Sequence, residues 1–305
     1  MCDDITEADN ARLLSRRRIG LGAAAAALLV GCGPEPAAAL PTTAGEPEPK
    51  PPAPEPAAAP ATRSRKVTVT TPDGQADGVF ITPATGKHPG VLLWPDVAGL
   101  RPAYVEMGTR LAAAGYAVFV VNPYYRSAKS PILAHFDEWR TDEGRARIAP
   151  MRGELTAEAI ARDGAAFVAW LDQQPEVDTA KKIGTQGYCM SGPFTLRVGA
   201  AAPERVGVVA SFHGGGLVTE GPDSPHHLFG TMKAAALIAI AQNDHERGPE
   251  AKGALESAAE KAGRTVELEV YPANHGWCAL DSPVYDEAQA ERAWGRLLAS
   301  YAAHL

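Results

Sequence analysis

The chain has 305 residues, with 29 Lys and Arg against 36 Asp and Glu, a formal net charge of −7 and four cysteines. Without a basic stripe this balance argues against nucleic-acid binding, and four dispersed cysteines form no disulfide framework. The sequence has no internal repeat, cofactor fingerprint or set of Cys and His at metal-ligand spacing, so we expect neither a cofactor nor a metal.

The first 32 residues have the features of an export signal. Residues 15–21 (SRRRIGL) resemble a twin-arginine motif, and the apolar run at 19–30 is short for a bilayer span but fits a signal peptide. The run ends in Leu-Val-Gly before Cys32, which resembles a bacterial lipobox and predicts lipidation of Cys32. We expect a lipoprotein at the periplasmic face of a bacterial membrane, with a soluble periplasmic or secreted protein as the alternative.

Residues 33–65 are rich in Pro, Ala and Glu, a composition that cannot bury a core and that favours an extended tether. The remaining residues, 66–305, have the length of a single domain. We expect this domain to be monomeric.

Strands and helices alternate along residues 66–305. Strands are predicted at 66–71, 78–82, 90–94, 116–121, 182–186, 206–211, 235–241 and 266–271. Helices are predicted at 104–114, 155–173, 193–202 and 286–303. Such alternation favours a mostly parallel sheet with helices on both faces.

One long connection, residues 124–152, is polar and predicted to be irregular. Long connections often shape binding sites, so its aromatic and basic residues are candidate substrate contacts: Tyr125, Arg126, Trp139 and Arg140. A solvated helix face is the alternative interpretation of its charges.

A six-residue segment, Gly187-Tyr188-Cys189-Met190-Ser191-Gly192, lies between a predicted strand and a predicted helix. This is the context of a nucleophile elbow, in which small flanking residues permit a sharp turn that exposes the central side chain. The central residue is Cys189, so the predicted nucleophile is a thiolate.

Asp244 and His275 each follow the end of a later predicted strand. Their order along the chain, nucleophile then acid then His, is that of an α/β-hydrolase triad. Because the carboxyl ends of parallel strands meet at one edge of a sheet, we expect both side chains near Cys189.

At these residues the chain resembles the dienelactone hydrolase family. The similarity rests on residues 187–189 (GYC), 242–244 (QND), 274–276 (NHG), 90–99 and 115–123, and it extends over about 67–305. It implies an α/β-hydrolase fold and a small ester or lactone as substrate.

The resemblance implies that Cys189 attacks the substrate carbonyl, that His275 is the base and that Asp244 orients the imidazole. The backbone amides of Met190 and Val97 are the predicted oxyanion donors.

Three features qualify the resemblance. Ser191 stands where the family usually has Gly, and Asp96 matches the family's active-site glutamate. No Arg follows His275 at the place where the family's enzyme holds a substrate carboxylate, so dienelactone itself is not implied as the substrate. Trp277, close to His275, is a further candidate substrate contact.

Three other motifs receive structural interpretations. The segment at 213–216 (HGGG) resembles a lipase oxyanion motif but follows the elbow, so we expect a strand-end loop at the pocket rim. His226 and His227 lack partners at ligand spacing. Cys278 is expected to be a packed residue, with an oxidative bridge to Cys189 as the less favoured alternative.

The predicted function is hydrolysis of an ester or lactone through a thioester acyl-enzyme. Hydrolysis of a thioester or amide is one alternative. A membrane-tethered binding or thiol-redox lipoprotein on an inactive hydrolase scaffold is the other.

Overall fold

In the computed structural model of the protein, residues 61–305 are described. The predicted export signal, the lipobox and most of the tether lie outside these residues. The first strand begins at Thr62, so the folded domain starts slightly before the predicted boundary at residue 66.

The described residues form an eight-stranded sheet in the order β1-β2-β4-β3-β5-β6-β7-β8. The first two strands form an antiparallel hairpin, β2 pairs antiparallel with β4, and all later pairings are parallel. The strands are β1 (Thr62–Thr71), β2 (Gly74–Pro83), β3 (Gly90–Trp94), β4 (Ala117–Val121), β5 (Ile183–Tyr188), β6 (Val206–Phe212), β7 (Ala235–Ala241) and β8 (Val266–Tyr271).

Eight α-helices connect or flank these strands in the described part of the chain. They are α1 (Pro102–Ala113), α2 (Phe136–Trp139), α3 (Asp142–Arg152), α4 (Ala157–Leu171), α5 (Gly192–Ala201), α6 (Gln242–Arg247), α7 (Glu250–Lys261) and α8 (Glu287–His304). Their starts follow local capping chemistry: the Thr156 side chain accepts from the amide of Ala159 before α4, and Asp286 accepts from Gln289 before α8.

Two apolar clusters cover the two faces of the sheet. Strands β3 and β4 are buried along their whole length, and their alternate side chains belong to different clusters. Helices α4, α5 and α7 contribute to one cluster, whereas α1 and α8 contribute to the other. Continuous apolar strands are what burial on both faces requires, so the predicted α/β-hydrolase fold is confirmed.

The connection at 124–152 differs from its predicted irregular form, because it contains α2 and α3. A third cluster joins this segment to the loop after β3 and includes Val97, Tyr124 and Trp139. His135 and Thr141 cap the two helices, and apolar residues scattered among the charges gain a common packed face against the loop after β3. Within residues 61–305, no helix has both the length and the apolar character needed to cross a bilayer.

Candidate active site

The segment around Cys189 has the geometry of a sharp turn between a strand and a helix. Cys189 follows the last residue of β5 and has a φ of 54°, in the left-handed region that side chains rarely adopt. A Cβ added at Gly187 would lie 2.2 Å from the carbonyl oxygen of Ser191, and one at Gly192 would lie 2.4 Å from Ser211 Oγ. Both glycines are therefore required by the close approach of neighbouring atoms.

Ser191, which departs from the family pattern, holds the turn in place. Its hydroxyl accepts from the amide of Tyr188 at 3.1 Å and is fully buried. It can donate to one of three carbonyl oxygens at a time, those of Pro95 at 2.7 Å, Trp94 at 2.9 Å and Tyr188 at 3.0 Å. The serine thus ties the turn to the loop after β3, a link that glycine could not make.

Asp244 and His275 are brought together from the ends of β7 and β8. Nδ1 of His275 lies 2.6 Å from Oδ2 of Asp244, and the amide of His275 donates to Oδ1 of Asn243 at 2.9 Å. Arg247 also donates to Oδ1 of Asp244 at 3.0 Å. The contact with Asp244 places the ring proton on Nδ1 of the neutral imidazole and leaves Nε2 as the basic nitrogen.

His213, interpreted from sequence only as a rim residue, lies between the turn and His275. The amide of Cys189 donates to Nδ1 of His213 at 3.1 Å, and the rings of His213 and His275 are 4.9 Å apart. His213 therefore lies next to both Cys189 and His275. Burial, followed by the nearby His275, holds the pKa of His213 well below its ordinary value.

A signal for His213 exists in the strand order. Tyr188 at the end of β5 pairs with Phe212 at the end of β6, so the residues that follow them are neighbours. Chain order alone cannot show which strands are adjacent in the sheet.

The two predicted oxyanion loops are linked by Tyr124. Its hydroxyl donates to the carbonyl oxygen of Val97 at 2.8 Å and lies 3.4 Å from Sδ of Met190. The loops that carry these two amides are therefore adjacent. Their action as oxyanion donors stays a prediction.

Asp96 is part of a buried ion network. Arg101 donates to its two carboxylate oxygens at 2.6 and 2.9 Å, and Tyr104 and the amide of Ala98 donate at 3.0 and 2.9 Å. Arg101 also donates to Asp281 at 2.7 and 2.8 Å. Burial opposes the charge of Arg101, but the two carboxylates outweigh it and raise its pKa well above the ordinary value. The network joins the loop after β3 to the loop that follows His275, and a role of Asp96 in thiol ionisation stays a prediction.

Tyr125 and Arg126 make contacts within the fold. The hydroxyl of Tyr125 donates to Asp163 at 2.6 Å, and Arg126 donates to Asp163 at 2.8 and 2.9 Å and to Asp73 at 2.6 Å. These bonds attach the connection after β4 to α4 and to the β1–β2 turn. Their polar groups have internal partners, and their use as substrate contacts stays a prediction.

The other three candidate contacts differ in exposure. Trp139 is buried in the third cluster, and Trp277 is fully buried, with its ring stacked on Tyr271 at 5.2 Å. Arg140 lies nearer the surface, with Nη1 3.5 Å from Asp137. Sequence reasoning could not separate these environments, because burial depends on the packing of distant segments.

Cys278 is packed, as expected, and forms no disulfide with Cys189. It lines an apolar cavity of about 480 Å³ between α1 and α8, together with Tyr188, Phe212 and Trp294. Burial raises the pKa of its thiol well above the ordinary value.

The paired His226 and His227 have protein partners, Ser224 Oγ at 2.7 Å and the carbonyl oxygen of Pro222 at 3.2 Å. Across residues 61–305 no group of three or more potential ligands could hold a metal ion.

Known proteins resemble this chain in sequence and in fold. It is 25% identical over 216 residues to a carboxymethylenebutenolidase of Pseudomonas sp. strain P51, covering 71% of this chain and 85% of that protein. A homologue from Synechocystis is 27% identical over 168 residues, and the match covers 55% of this chain and 62% of the homologue's length.

Among solved structures, a dienelactone hydrolase-like promiscuous phosphotriesterase from metagenomic libraries has a TM-score of 0.66 and 20% identity, over 80% of this chain and 99% of that one. The model of the dienelactone hydrolase family matches residues 76–305. The chain therefore belongs to the dienelactone hydrolase family and is a hydrolase that acts on ester bonds.

Proposed function

We propose that the protein hydrolyses a carboxylic ester or lactone through Cys189, His275 and Asp244, with a thioester acyl-enzyme intermediate. The observation that carries the proposal is the 2.6 Å contact between His275 and Asp244, next to the ring of His213, which accepts from the amide of Cys189 at the turn after β5. Members of the same family that are named carboxymethylenebutenolidase support an ester or lactone as the substrate class.

The reaction begins with transfer of the Cys189 thiol proton to Nε2 of His275. Asp244 stabilises the resulting imidazolium, and α5, which begins shortly after Cys189, directs its positive end towards the thiolate. The thiolate attacks the carbonyl carbon, and the amides of Val97 and Met190 stabilise the oxyanion.

Collapse of this intermediate breaks the ester C–O bond. His275 returns its proton to the leaving alkoxide, which gives an alcohol and a Cys189 thioester. His275 then removes a proton from water, and the hydroxide attacks the thioester carbonyl. Collapse of this second intermediate breaks the C–S bond, the acid product leaves, and His275 returns the proton to the Cys189 thiolate. In a lactone, the alcohol and the acid remain parts of one molecule.

We further propose an uncharged ester or lactone as the preferred substrate. The position after His275 that could hold a substrate carboxylate is occupied by Ala279, and the guanidinium of Arg101 is already shared between Asp96 and Asp281. A substrate carboxylate near these two acids would meet repulsion.

Trapping of the acyl-enzyme tests the mechanism. After rapid acid quench of a reaction with p-nitrophenyl acetate, mass spectrometry should find one acetyl group on the peptide that contains Cys189. Replacement of His275 by Ala should abolish this adduct, because the base is lost. Acetylation at another residue, or turnover without an adduct on Cys189 under burst conditions, would refute the proposed mechanism.

The alternatives have distinct outcomes. Faster turnover of a thioester or an amide than of a matched ester would favour a different acyl transfer. A protein that binds small molecules but turns over no ester, thioester or amide would favour the inactive scaffold.

We also propose that the mature protein is anchored to a membrane through a lipidated Cys32. The support is the lipobox-like segment and the Pro-rich tether in the sequence. Mass spectrometry of the membrane fraction should find an acylated N-terminal Cys32, and Cys32→Ser should release the protein into the soluble fraction. A soluble wild-type form that begins elsewhere would contradict the anchor.

A further inference from the structure

The backbone of Cys189 is strained, and one loop forms hydrogen bonds with both its amide and its carbonyl oxygen. A non-glycine residue at a φ of 54° persists only where its surroundings determine it strongly. The amide of Cys189 donates to Nδ1 of His213 at 3.1 Å, and its carbonyl oxygen accepts from the amide of Gly215 at 3.2 Å. Both partners belong to the loop that follows β6.

That loop is itself fixed. His213 has a φ of 41°, and its amide donates to the carbonyl oxygen of Ala239 in the neighbouring strand β7 at 2.8 Å. A Cβ at Gly192 would lie 2.5 Å from Cα of Gly214, so the loop packs directly against the start of α5. The loop that makes both hydrogen bonds to the backbone of Cys189 is therefore fixed to the sheet.

The hydrogen bond defines the protonation state of His213. Nδ1 accepts from an amide, so the ring proton is on Nε2. A doubly protonated ring would present an N–H to the N–H of Cys189 and lose this bond. Nε2 is buried and has no hydrogen-bond partner among the described residues, so no hydrogen bond from them stabilises an added charge there.

We propose that His213 is a positioning residue for Cys189: its Nδ1 lone pair holds the left-handed backbone that presents the thiol to His275. The side chain acts through the Cys189 amide and carries no proton in the reaction. This role rests on the proposed function only in so far as Cys189 is the nucleophile.

The electrostatic surroundings agree with a neutral ring. The titratable groups that face His213 are Cys189 and Tyr188 at the end of β5 and His275 after β8, which is paired with Asp244. Burial, followed by the nearby His275, lowers the pKa of His213, so its Nδ1 acceptor remains available to lower pH than in a free histidine. A neutral neighbour also leaves His275 free to become an imidazolium without like-charge repulsion.

A matched pair of variants separates the acceptor from the volume of the ring. His213→Asn can place an amide oxygen near the position of Nδ1, whereas His213→Leu has nearly the same size and no acceptor. Thermal unfolding is measured first. If the Leu variant does not fold, His213→Gln replaces it, because its amide oxygen is one methylene too far along the chain.

The main measurement is the rate at which iodoacetamide alkylates Cys189, read from its peptide by mass spectrometry, with the Cys278 peptide as internal reference. We expect the variant without an acceptor to react roughly 10- to 100-fold more slowly, as for loss of one buried hydrogen bond at the reacting residue. The Asn variant should react within about 5-fold of wild type, which is roughly 1 kcal/mol. With p-nitrophenyl acetate, kcat should fall in parallel while KM changes little.

Equal rates in the Asn and Leu variants, whether normal or reduced, would overturn the positioning role. The pH profile tests a different role: the Asn variant should keep the acid limb of the alkylation profile, since Nδ1 of His213 accepts from the Cys189 amide and takes no proton from the thiol. Loss of that limb would make His213 itself the base and would also overturn the proposal. Alkylation reports on the thiol alone. If the Asn and Leu variants differ in alkylation rate as expected but the wild-type protein has no esterase activity, only the proposed function is rejected.

Discussion

The two cysteines in the described part of the chain are almost equally buried, yet their surroundings are different. Cys189 and Cys278 have exposed fractions of 6% and 7%. Cys189 lies in a strained turn and is bonded through its backbone to His213, whose ring is 4.9 Å from that of His275, the hydrogen-bond partner of Asp244. Cys278 lines an apolar cavity, where burial raises the pKa of its thiol. Because the two thiols are about equally buried, a difference in their reactivity has to come from the polar groups around them.

The largest expected difference between the two cysteines is in catalysis. Cys189→Ala should lower kcat by at least about 10³-fold, since loss of a triad nucleophile costs several orders of magnitude. Cys278→Ala should stay within about 3-fold of wild type, a change of less than 1 kcal/mol. Steady-state hydrolysis of p-nitrophenyl acetate by the two folded variants provides the measurement. Near-normal turnover by Cys189→Ala would show that Cys189 is not the nucleophile.

Chemical reactivity should show the same contrast without any substrate. At pH 7, iodoacetamide should label Cys189 roughly 10- to 100-fold faster than Cys278, because a neighbouring His and the start of a helix favour the thiolate, whereas an apolar cavity disfavours it. Peptide mass spectrometry over a time course gives both rates in one sample. Equal rates would mean that the polar surroundings of Cys189 do not raise the reactivity of its thiol above that of Cys278.

The turn around Cys189 depends on hydrogen bonds, so removal of one should destabilise it. Ser191→Ala leaves the buried amide of Tyr188 without its acceptor, and the free energy of unfolding should fall by about 1–3 kcal/mol. Ser300→Ala, a half-exposed position in α8, is the matched control and should change it by less than about 0.5 kcal/mol. Urea unfolding of both variants measures the difference, and equal stabilities would show that the Ser191 bonds are replaceable.

The buried His213 and the buried Cys278 should make the stability of the protein depend on pH in opposite directions. The pKa of His213 is lowered from 6.5, so as pH falls below this value the unfolded chain binds a proton first and the protein loses stability. The pKa of Cys278 is raised from 9.0, so as pH rises above this value the unfolded chain loses its proton first and stability again falls. Each slope is at most about 1.4 kcal/mol per pH unit.

Two variants isolate these slopes. His213→Asn should flatten the acid side of the profile of unfolding free energy against pH, and Cys278→Ala should flatten the alkaline side. Buried tyrosines with raised pKa, such as Tyr188 and Tyr104, add to the alkaline loss in every variant, so the difference from wild type is the quantity to compare. An unchanged slope in either variant would show that the group titrates alike in the folded and unfolded chains.

Local patterns in the sequence were sufficient to predict most of the fold. The apolar runs of β3, β4 and β7 identify buried strands, and glycines flank Cys189 because the turn excludes side chains at those positions. Since chain order and strand ends place an acid and a His after the elbow, Asp244 and His275 could be predicted to meet, and they lie 2.6 Å apart.

Local patterns did not reveal the helices within residues 124–152 or the partners of Asp96. The apolar residues of that segment are scattered among charges, and their common face is defined only by packing against the loop after β3. Asp96 is bonded to Arg101, which also binds Asp281, 180 residues further along the chain than Arg101. No sequence spacing reports such a contact.

The sequence by itself was enough to predict Cys189 as the nucleophile, Asp244 and His275 as its partners in chain order, and the alternation of strands and helices, because each prediction depends on neighbouring residues or on strand ends. The tertiary structure alone decided that His213 would hold the amide of Cys189 and that Cys278 would face an apolar cavity. These outcomes depend on which strands lie side by side and which helices cover them. That arrangement is set by the burial of the whole core, so it cannot be read from any one segment.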